Sequence, residues 1–474
     1  MLHGTERPCK GFGAAFLMGR EIMANENGQQ EYRVSSALQS GSVPVMLSAV
    51  IWGFGCLIRK QWIKGLLFLA AEVGIIFYML RVGAYNLSKL ITLGDMAQQK
   101  IWNEAKSIFE YIDGDRSLNI LLYGIVTLAV IMVGVLLIRA SIKSAYKAEL
   151  LHKQGKPAPS FLQDMAELLD ERLHITLLSL PMLGICTFTL LPLIFMTSMA
   201  FTNYSVIDNK LVLFDWVGLH NFSRLMSMNG SLGQTFWPVL GWTICWALIA
   251  TFSNYILGMM LSLFINWKEI RAKKFWRFCF VLTVAVPHFV TLLIIRQMLQ
   301  PTGAINVLLQ NMGWINAPLP FFTDTTWARV SVILINIWVG VPYVLLQITG
   351  ILQNIPQELY ESARVDGANP VVTFLKITLP YMLFVTTPYL ITSFTGNINN
   401  FNVIFLTSQG LPRPVGSTAG STDLLITWLY KLTIDNQYYD VGAVIGIMTF
   451  ITLSIVSLLT FRFSGSYKNE EGFR

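Results

Sequence analysis

The sequence predicts an all-α, polytopic membrane protein, and three observations carry that prediction. Of its 474 residues 54% are hydrophobic and 13% charged, with a mean hydropathy of +0.54, whereas a soluble chain carries about a quarter charged residues. The apolar residues fall in runs close to the roughly 20 that a membrane-spanning helix needs. The basic residues, whose excess leaves a net charge of +7, lie in short clusters between those runs. That arrangement records membrane orientation and argues against a nucleic-acid partner. Cys9, Cys56, Cys186, Cys245 and Cys279 are odd in number and lack CxxC spacing, which argues against a disulfide scaffold.

Taken in order, nine candidate spans are expected at 42–58, 65–82, 118–139, 174–201, 236–266, 278–299, 327–352, 379–407 and 440–462. Residues 1–41 form a polar leader, expected to be disordered and without the apolar core of a signal peptide. Residues 42–173 hold three spans that precede the rest. Between the second and third, Ile101, Ala105, Ile108, Phe109 and Ile112 recur at helical spacing, so 96–117 is expected to be an amphipathic helix on the outer surface. A polar helix over 141–154 continues the third span on the inner side until Pro157 and Pro159 end it. Residues 174–465 form a six-span core, and 466–474 a cytoplasmic tail.

Charge orients these spans. Arg59, Lys60 and Lys64, the basic residues of 139–173, and Lys268, Arg271, Lys273, Lys274 and Arg277 mark the inner loops. The alternate segments are poor in net positive charge: 300–326 has no Lys or Arg, and 83–117 balances its basic residues with Asp95, Glu104, Glu110, Asp113 and Asp115. Nine crossings then put the N-terminus outside and the C-terminus inside.

The segment 355–380 is the most informative inner loop. Pro356 suits the first turn of a helix over Gln357–Val365, Gly367 suits the left-handed residue that closes it, and Pro370 permits a second short helix before Leu379 and Pro380 open the next span. The product is a compact knob suited to being held by a partner, or else an ordinary helical hairpin. A second constellation, Asn397, Asn399, Asn400 and Asn402, lies inside the eighth candidate span. Carboxamides in hydrocarbon need hydrogen-bond partners. They either glue helices together or face a neutral, hydroxyl-rich ligand, for which their donors and acceptors are suited. Asn397 and Asn400, three apart, are expected on one helix face beside Gly396.

Other polar residues are expected to be structural. Glu72 is read as interfacial or paired with a neighbour, His288 beside Pro287 as a packing residue, and Arg296 and Arg329 as snorkelling from outer span ends.

Glu361, Ala363, Gly367 and the Ile377–Pro380 stretch match the EAA loop of permease subunits of binding-protein-dependent ABC importers, with Ser362 where the usual form has Ala. Phe201–Ser205, Trp216–Phe222, Pro287, Trp338–Tyr343, Asn397–Phe401 and Thr422–Leu425 extend the match over about 170–465. The chain thus resembles the MalF type of maltose/maltodextrin permease subunit. The resemblance implies that Glu361, Ser362, Ala363 and Gly367 couple to an ATPase subunit. It also implies that Val339, Gly340, Tyr343, Gly396, Asn397 and Asn400 form a sugar site, with Gly340 clearing room for the Tyr343 ring. The family usually has an aromatic at Gly396 and a larger aliphatic at Val339. Implied partners are a second, MalG-like permease subunit, two copies of an ABC ATPase, an extracytoplasmic sugar-binding protein, the oligosaccharide and the lipid bilayer of the cell membrane.

No GxxxxGK[ST] occurs, so ATP and Mg would be used by the partner ATPase and no cofactor is expected on this chain. An ion-coupled secondary sugar transporter is the alternative, disfavoured because the core spans lack buried carboxylates. A membrane enzyme would need a clustered nucleophile, metal or acid/base pair, which five scattered histidines without HExxH do not provide. Some relatives carry a large outer domain where this chain has only 202–235, so capture of the binding protein is expected to rely on short loops, including 300–326 and 408–436.

Overall fold

The computed structural model describes residues 34–97, 99–104, 108–112, 114–205, 213–267 and 269–463. Most of the leader, the tail 466–474, Lys268, Ala105 and Asp113 lie outside the described residues. The chain starts with three short helices, α1 (Val34–Ser40), α2 (Val43–Leu47) and α3 (Phe54–Ile58). It continues through α4 (Trp62–Ser88), strands β1 (Gln99–Asn103) and β2 (Ile108–Ile112), α5 (Ser117–Lys153), α6 (Phe161–Leu169) and α7 (Leu173–Met199). Then come α8 (His220–Met226), α9 (Ser231–Asn266), α10 (Lys273–Ala285), α11 (His288–Met298), α12 (Ala304–Asn311) and α13 (Thr325–Gln353). The last elements are α14 (Gln357–Val365), α15 (Pro370–Ile398), α16 (Phe401–Leu406), α17 (Leu425–Tyr430) and α18 (Tyr439–Phe463).

Among the described residues seven helices are long and apolar enough to cross a membrane: α4, α5, α7, α9, α13, α15 and α18. The bent pair α10 and α11, meeting at 87°, makes an eighth when counted as one span. Pro287 stands at that bend, where it lacks an amide to continue a helix. The described residues form two compact units divided at Met196/Thr197, with the short stretch ending at Asp215 belonging to the first.

In the first unit, 42–58 is not a span. Ser48 to Gly53 turn the chain, Gly53 at φ +81°, and α2 and α3 are five residues each. The amides freed by the turn are met by side chains. Trp52 N–H donates to Glu72 Oε2 at 2.8 Å, Gly53 N–H to Ser141 Oγ at 2.8 Å, and Gly55 N–H to Ser48 Oγ at 2.7 Å. Glu72 is therefore paired with a neighbour. The stretch is apolar because it packs on the continuation of α5, through Val45, Cys56, Ile142, Ala145 and Tyr146. The described residues thus supply seven or eight helices of spanning length and do not reproduce the span at 42–58 on which an outer N-terminus depended.

As expected, α5 runs on well past its apolar stretch, to Lys153. On this extension Glu149, buried, accepts from the Ser42 amide and hydroxyl at 3.1 and 2.6 Å and pairs with Arg59 at 3.0 Å and Lys153 at 2.6 Å. Burial alone would raise its pKa, but the bonds from Lys153 and Ser42 outweigh it and hold the carboxyl at about 2.

The expected outer amphipathic helix is instead a two-stranded antiparallel ribbon, in register Trp102 opposite Phe109. Isoleucines at 101, 108 and 112 satisfy a helical period, but β-branched and aromatic residues favour a pleated ribbon. The cross-strand Trp102 and Phe109 rings, edge to face at 4.8 Å, hold it closed.

The second unit is built on α9, α13 and α15. A Cβ at Gly258 would lie 2.6 Å from Val344 Cγ1, so glycine permits α9 and α13 to touch. The Ser262 and Thr349 hydroxyls bond across the same contact at 2.9 Å, and Tyr255 bonds Thr386 of α15 at 2.7 Å. Near the start of α13 Asp423, buried, pairs with Lys431 at 2.7 Å and accepts from the Thr427 hydroxyl and the Gly420 amide, closing the loop 408–431. Arg329 does not snorkel. Its Nε donates to the Ser421 carbonyl at 3.1 Å and its guanidinium lies over the Trp242 ring at 4.4 Å.

We predict that Glu149→Ala strips α1–α3 from α5, at a cost of about 3 kcal/mol for breaking a buried ion pair. Lower melting temperature and faster tryptic cleavage at Arg59 and Lys60 are the expected readouts. Because the Glu149 pKa is depressed, its contribution is complete at neutral pH and is lost as pH falls through the acidic range toward about 2.

Candidate functional site

The inner knob forms as its residues dictate. α14 ends where Gly367 adopts φ +76°, and Ala368 N–H returns to the Ala363 carbonyl at 2.8 Å. Asn369 then caps the next helix, its Oδ1 accepting from Val372 N–H at 2.8 Å. Ala363 is buried against the base of the knob, while Glu361, Ser362 and Gly367 are exposed. The knob is anchored by Ile355 and Tyr360, which pack with Met382 and Ile348, and by a Tyr360–Thr378 hydroxyl pair at 3.1 Å. The knob thus presents an exposed carboxylate and the exposed apolar side chains of Leu359, Val365 and Val371 on a fixed, buried base.

The six residues expected to form the intramembrane site separate into three settings. Val339 and Tyr343 line a cavity of about 200 Å³ between α13 and the bend of α10 and α11. Thr283 and Val286 of α10, His288 and Thr291 of α11, and Trp338 and Pro342 complete its wall. Tyr343 is 53% exposed, and three of these residues, Thr283, Trp338 and Pro342, also border a neighbouring apolar groove of about 590 Å³. Neither wall carries a carboxylate or a lysine or arginine. Gly396 is exposed with open space around the position of a Cβ.

Gly340 does not clear room for Tyr343. A Cβ there would sit 2.3 Å from Asn254 Nδ2, so this glycine admits the Asn254 carboxamide between α9 and α13.

Asn397 and Asn400 belong to a chain of bonds between helices. Asn397 Nδ2 donates to Thr251 Oγ1 at 3.0 Å, and its backbone carbonyl accepts from Trp246 Nε1 at 3.1 Å. Asn400 Nδ2 is shared at 3.3 Å between Asn397 Oδ1 and Asn336 Oδ1, and Asn400 Oδ1 caps α16 through Val403 N–H. The helix ends at Ile398, so Asn400 meets Asn397 across a break and not along one helix face. Sequence reasoning missed Asn336, Thr251 and Asn254. The available signal was Asn336 one turn before Gly340, a polar residue that a span must hide. Asn336 Nδ2, within this network, and Asn254 Oδ1, beside Gly340, are buried without a hydrogen-bond partner. Among the described residues no group of His, Cys, Asp or Glu is placed to hold a metal ion.

Comparison with known proteins gives this architecture its class. The family described as "Binding-protein-dependent transport system inner membrane component" matches residues 254–466. The galactooligosaccharide transport permease GanP of Bacillus subtilis is 34% identical over 91% of this chain and 100% of its own length. The maltodextrin transport permease MalC of Streptococcus pneumoniae (strain TIGR4) is 36% identical over 90% of this chain and 97% of its own. The crystal structure of a bacterial ABC transporter that imports alginate contains a chain with the same fold, at TM-score 0.52 and 21% identity, covering 63% of this chain and 96% of that one. The chain belongs to the permease subunits of binding-protein-dependent ABC importers, in the MalF-like branch. GanP and MalC match across the N-terminal spans as well as the core.

Gly340→Ala is predicted to separate α9 from α13, at about 1–3 kcal/mol for an overpacked contact. Asn254→Ala in the same chain should restore the melting temperature; a double variant no more stable than Gly340→Ala would show that the close approach is not what Gly340 serves.

Proposed function

We propose that this chain carries maltose, maltodextrin or a related neutral oligosaccharide across the cell membrane, together with a second, MalG-like permease subunit. ATP with Mg is hydrolysed by two copies of a partner ATPase, and the sugar is delivered by an extracytoplasmic binding protein. The observation that carries the substrate class is the uncharged cavity at the α10–α11 bend. Two aromatic residues, Trp338 and Tyr343, the imidazole of His288 and the hydroxyls of Thr283 and Thr291 line it, without any carboxylate, lysine or arginine. Such a wall offers ring stacking and hydrogen bonds to a polyhydroxylated ligand while spending no desolvated charge on a neutral one. Its 200 Å³ is below the roughly 300–1,000 Å³ of complete ligand pockets, as fits a pathway completed by a second subunit. The open space at Gly396 supports a wider route than an aromatic there would leave. The relatives named for maltodextrin and galactooligosaccharide transport support the same class over an ion-coupled transporter.

Within this reading Tyr343 and Val339 meet the sugar, and Asn397 and Asn400 hold the helices that frame it in the state described. Residues 34–60, 140–172, 269–277 and 354–370 lie on the cytoplasmic side. That topology follows from eight crossings and from Lys273, Lys274 and Arg277 at the start of the bent span, before an outer segment without Lys or Arg. Closure of the ATPase pair around ATP pulls on the knob, and α13 and α15, joined at its base, pass that movement to the cavity.

Two experiments test this. Tyr343→Ala is predicted to lower sugar uptake by the reconstituted importer about tenfold, the scale of one lost contact, with an unchanged melting temperature. Asn397→Leu should lower the melting temperature as well; the reverse pattern would exchange their roles. Gly367→Val, which forces a β-branched residue to positive φ, and Glu361→Trp should both abolish copurification with the ATPase while the chain still inserts. Normal assembly and sugar-stimulated ATP hydrolysis in both variants would remove the knob from the coupling path.

A further inference from the structure

α6 (Phe161–Leu169) stands between the basic inner linker and the first turn of α7. Its start is fixed by a capping box, in which Ser160 Oγ accepts from Gln163 N–H at 3.3 Å and Gln163 Oε1 from Ser160 N–H at 2.8 Å. The polar side of the helix is tied to its own protein: Lys64 pairs with Asp164, and Glu167 with Lys147 at 3.6 Å and Arg172 at 2.6 Å. Gln61 Nε2 holds the Pro159 carbonyl and the Thr176 hydroxyl the Leu168 carbonyl, each at 2.7 Å. With its rotation so fixed, Leu162, Met165 and Leu169, three and four residues apart, point away from the protein and are 77%, 39% and 59% exposed. A helix with charges turned inward and leucines outward is the reverse of a soluble surface helix.

What covers that face follows from where the helix leads. Asp170 to Arg172 separate it from α7, on which no residue from Leu173 to Ile185 is buried and whose Leu177, Leu178 and Leu180 are exposed along the membrane span. The apolar face of α6 thus lies three residues from a helix long and apolar enough to cross the membrane, at the level where that span begins. Lys147, Lys153 and Arg172 are taken up by ion pairs, but Arg139 and Lys143, at the end of the apolar stretch of α5, are exposed and in none of these pairs, complementary to anionic headgroups. We propose that α6 is an interfacial helix seated in the inner leaflet, with Leu162, Met165 and Leu169 at the headgroup–acyl boundary and Arg139 and Lys143 on anionic phospholipid. It would hold the first turn of α7 at a fixed depth. The proposal rests on the cytoplasmic placement of 140–172.

The test uses the full chain with its native cysteines replaced by serine and one nitroxide at a time, at Leu162→Cys or Met165→Cys, with Lys156→Cys as the aqueous reference. In nanodiscs of equal parts phosphatidylglycerol and phosphatidylethanolamine, the ratio of oxygen to nickel-chelate collisions at 162 and 165 should exceed that at 156 about tenfold, as expected of an interfacial helix. The ratio should fall in phosphatidylcholine discs. A ratio equal to that at 156 overturns the proposal, and so does one that rises only after the partner subunits assemble, because a protein then covers the face. A ratio unchanged in phosphatidylcholine overturns the anionic-lipid part. Orientation is read separately by an impermeant maleimide: labelling of Lys156→Cys from the outer face of intact cells would overturn the cytoplasmic placement itself.

Discussion

A glycine on each of two helices sets the distance between α9 and α13. Gly258 lies against Val344, and Gly340 admits Asn254. Lipid tails are as apolar as the leucines they would replace, so helices in a bilayer gain little from hiding apolar surface and associate through close packing and hydrogen bonds. The two glycines supply the first and make the second possible. Once the backbones touch, Ser262 reaches Thr349, Tyr255 reaches Thr386 and Thr251 reaches Asn397. The cavity at the α10–α11 bend lies along the same α13 whose other face makes this contact, so the position of Tyr343 is set by packing on the far side of its own helix.

The inner knob and the cavity share that helix. α13 carries Val339 and Tyr343 and ends one residue before the turn into α14. Ile348 on α13, Ile355 at the turn and Met382 on α15 are buried in one cluster, with Tyr360 packed against it. A displacement of α14 therefore loads α13 and α15 together. The Asn336–Asn400–Asn397–Thr251 chain, in which Asn336 Nδ2 alone is buried and unpaired, links α13, α15 and α9 by bonds that keep their carboxamides from lipid.

Much of this was legible in the sequence where one physical requirement dominated. Run length located the spans, Gly367 and Pro370 located the turns of the knob, and carboxamides in an apolar run had to be paired. The reading failed where two requirements gave the same pattern. Residues 42–58 are apolar enough for a span, but their apolarity serves packing on α5, and Gly53 and Gly55 mark the turn. Isoleucines at 101, 108 and 112 fit a helix and a ribbon alike. Gly340 was assigned to the ligand because Tyr343 was visible in the sequence, whereas Asn254, 86 positions away, was not an evident neighbour. Arg329 was read from its place in the chain, and the carbonyl of Ser421 that it binds lies 92 residues on.

The turn at 48–55 has a history in synthesis. Its exposed amides are satisfied by Glu72 and Ser141, which emerge 20 and 88 residues after the amides they accept from. At about 5–20 residues per second, the Gly53 amide spends several seconds or more without its native acceptor. What holds this apolar turn in place is thus in part a helix not yet made when the turn leaves the ribosome.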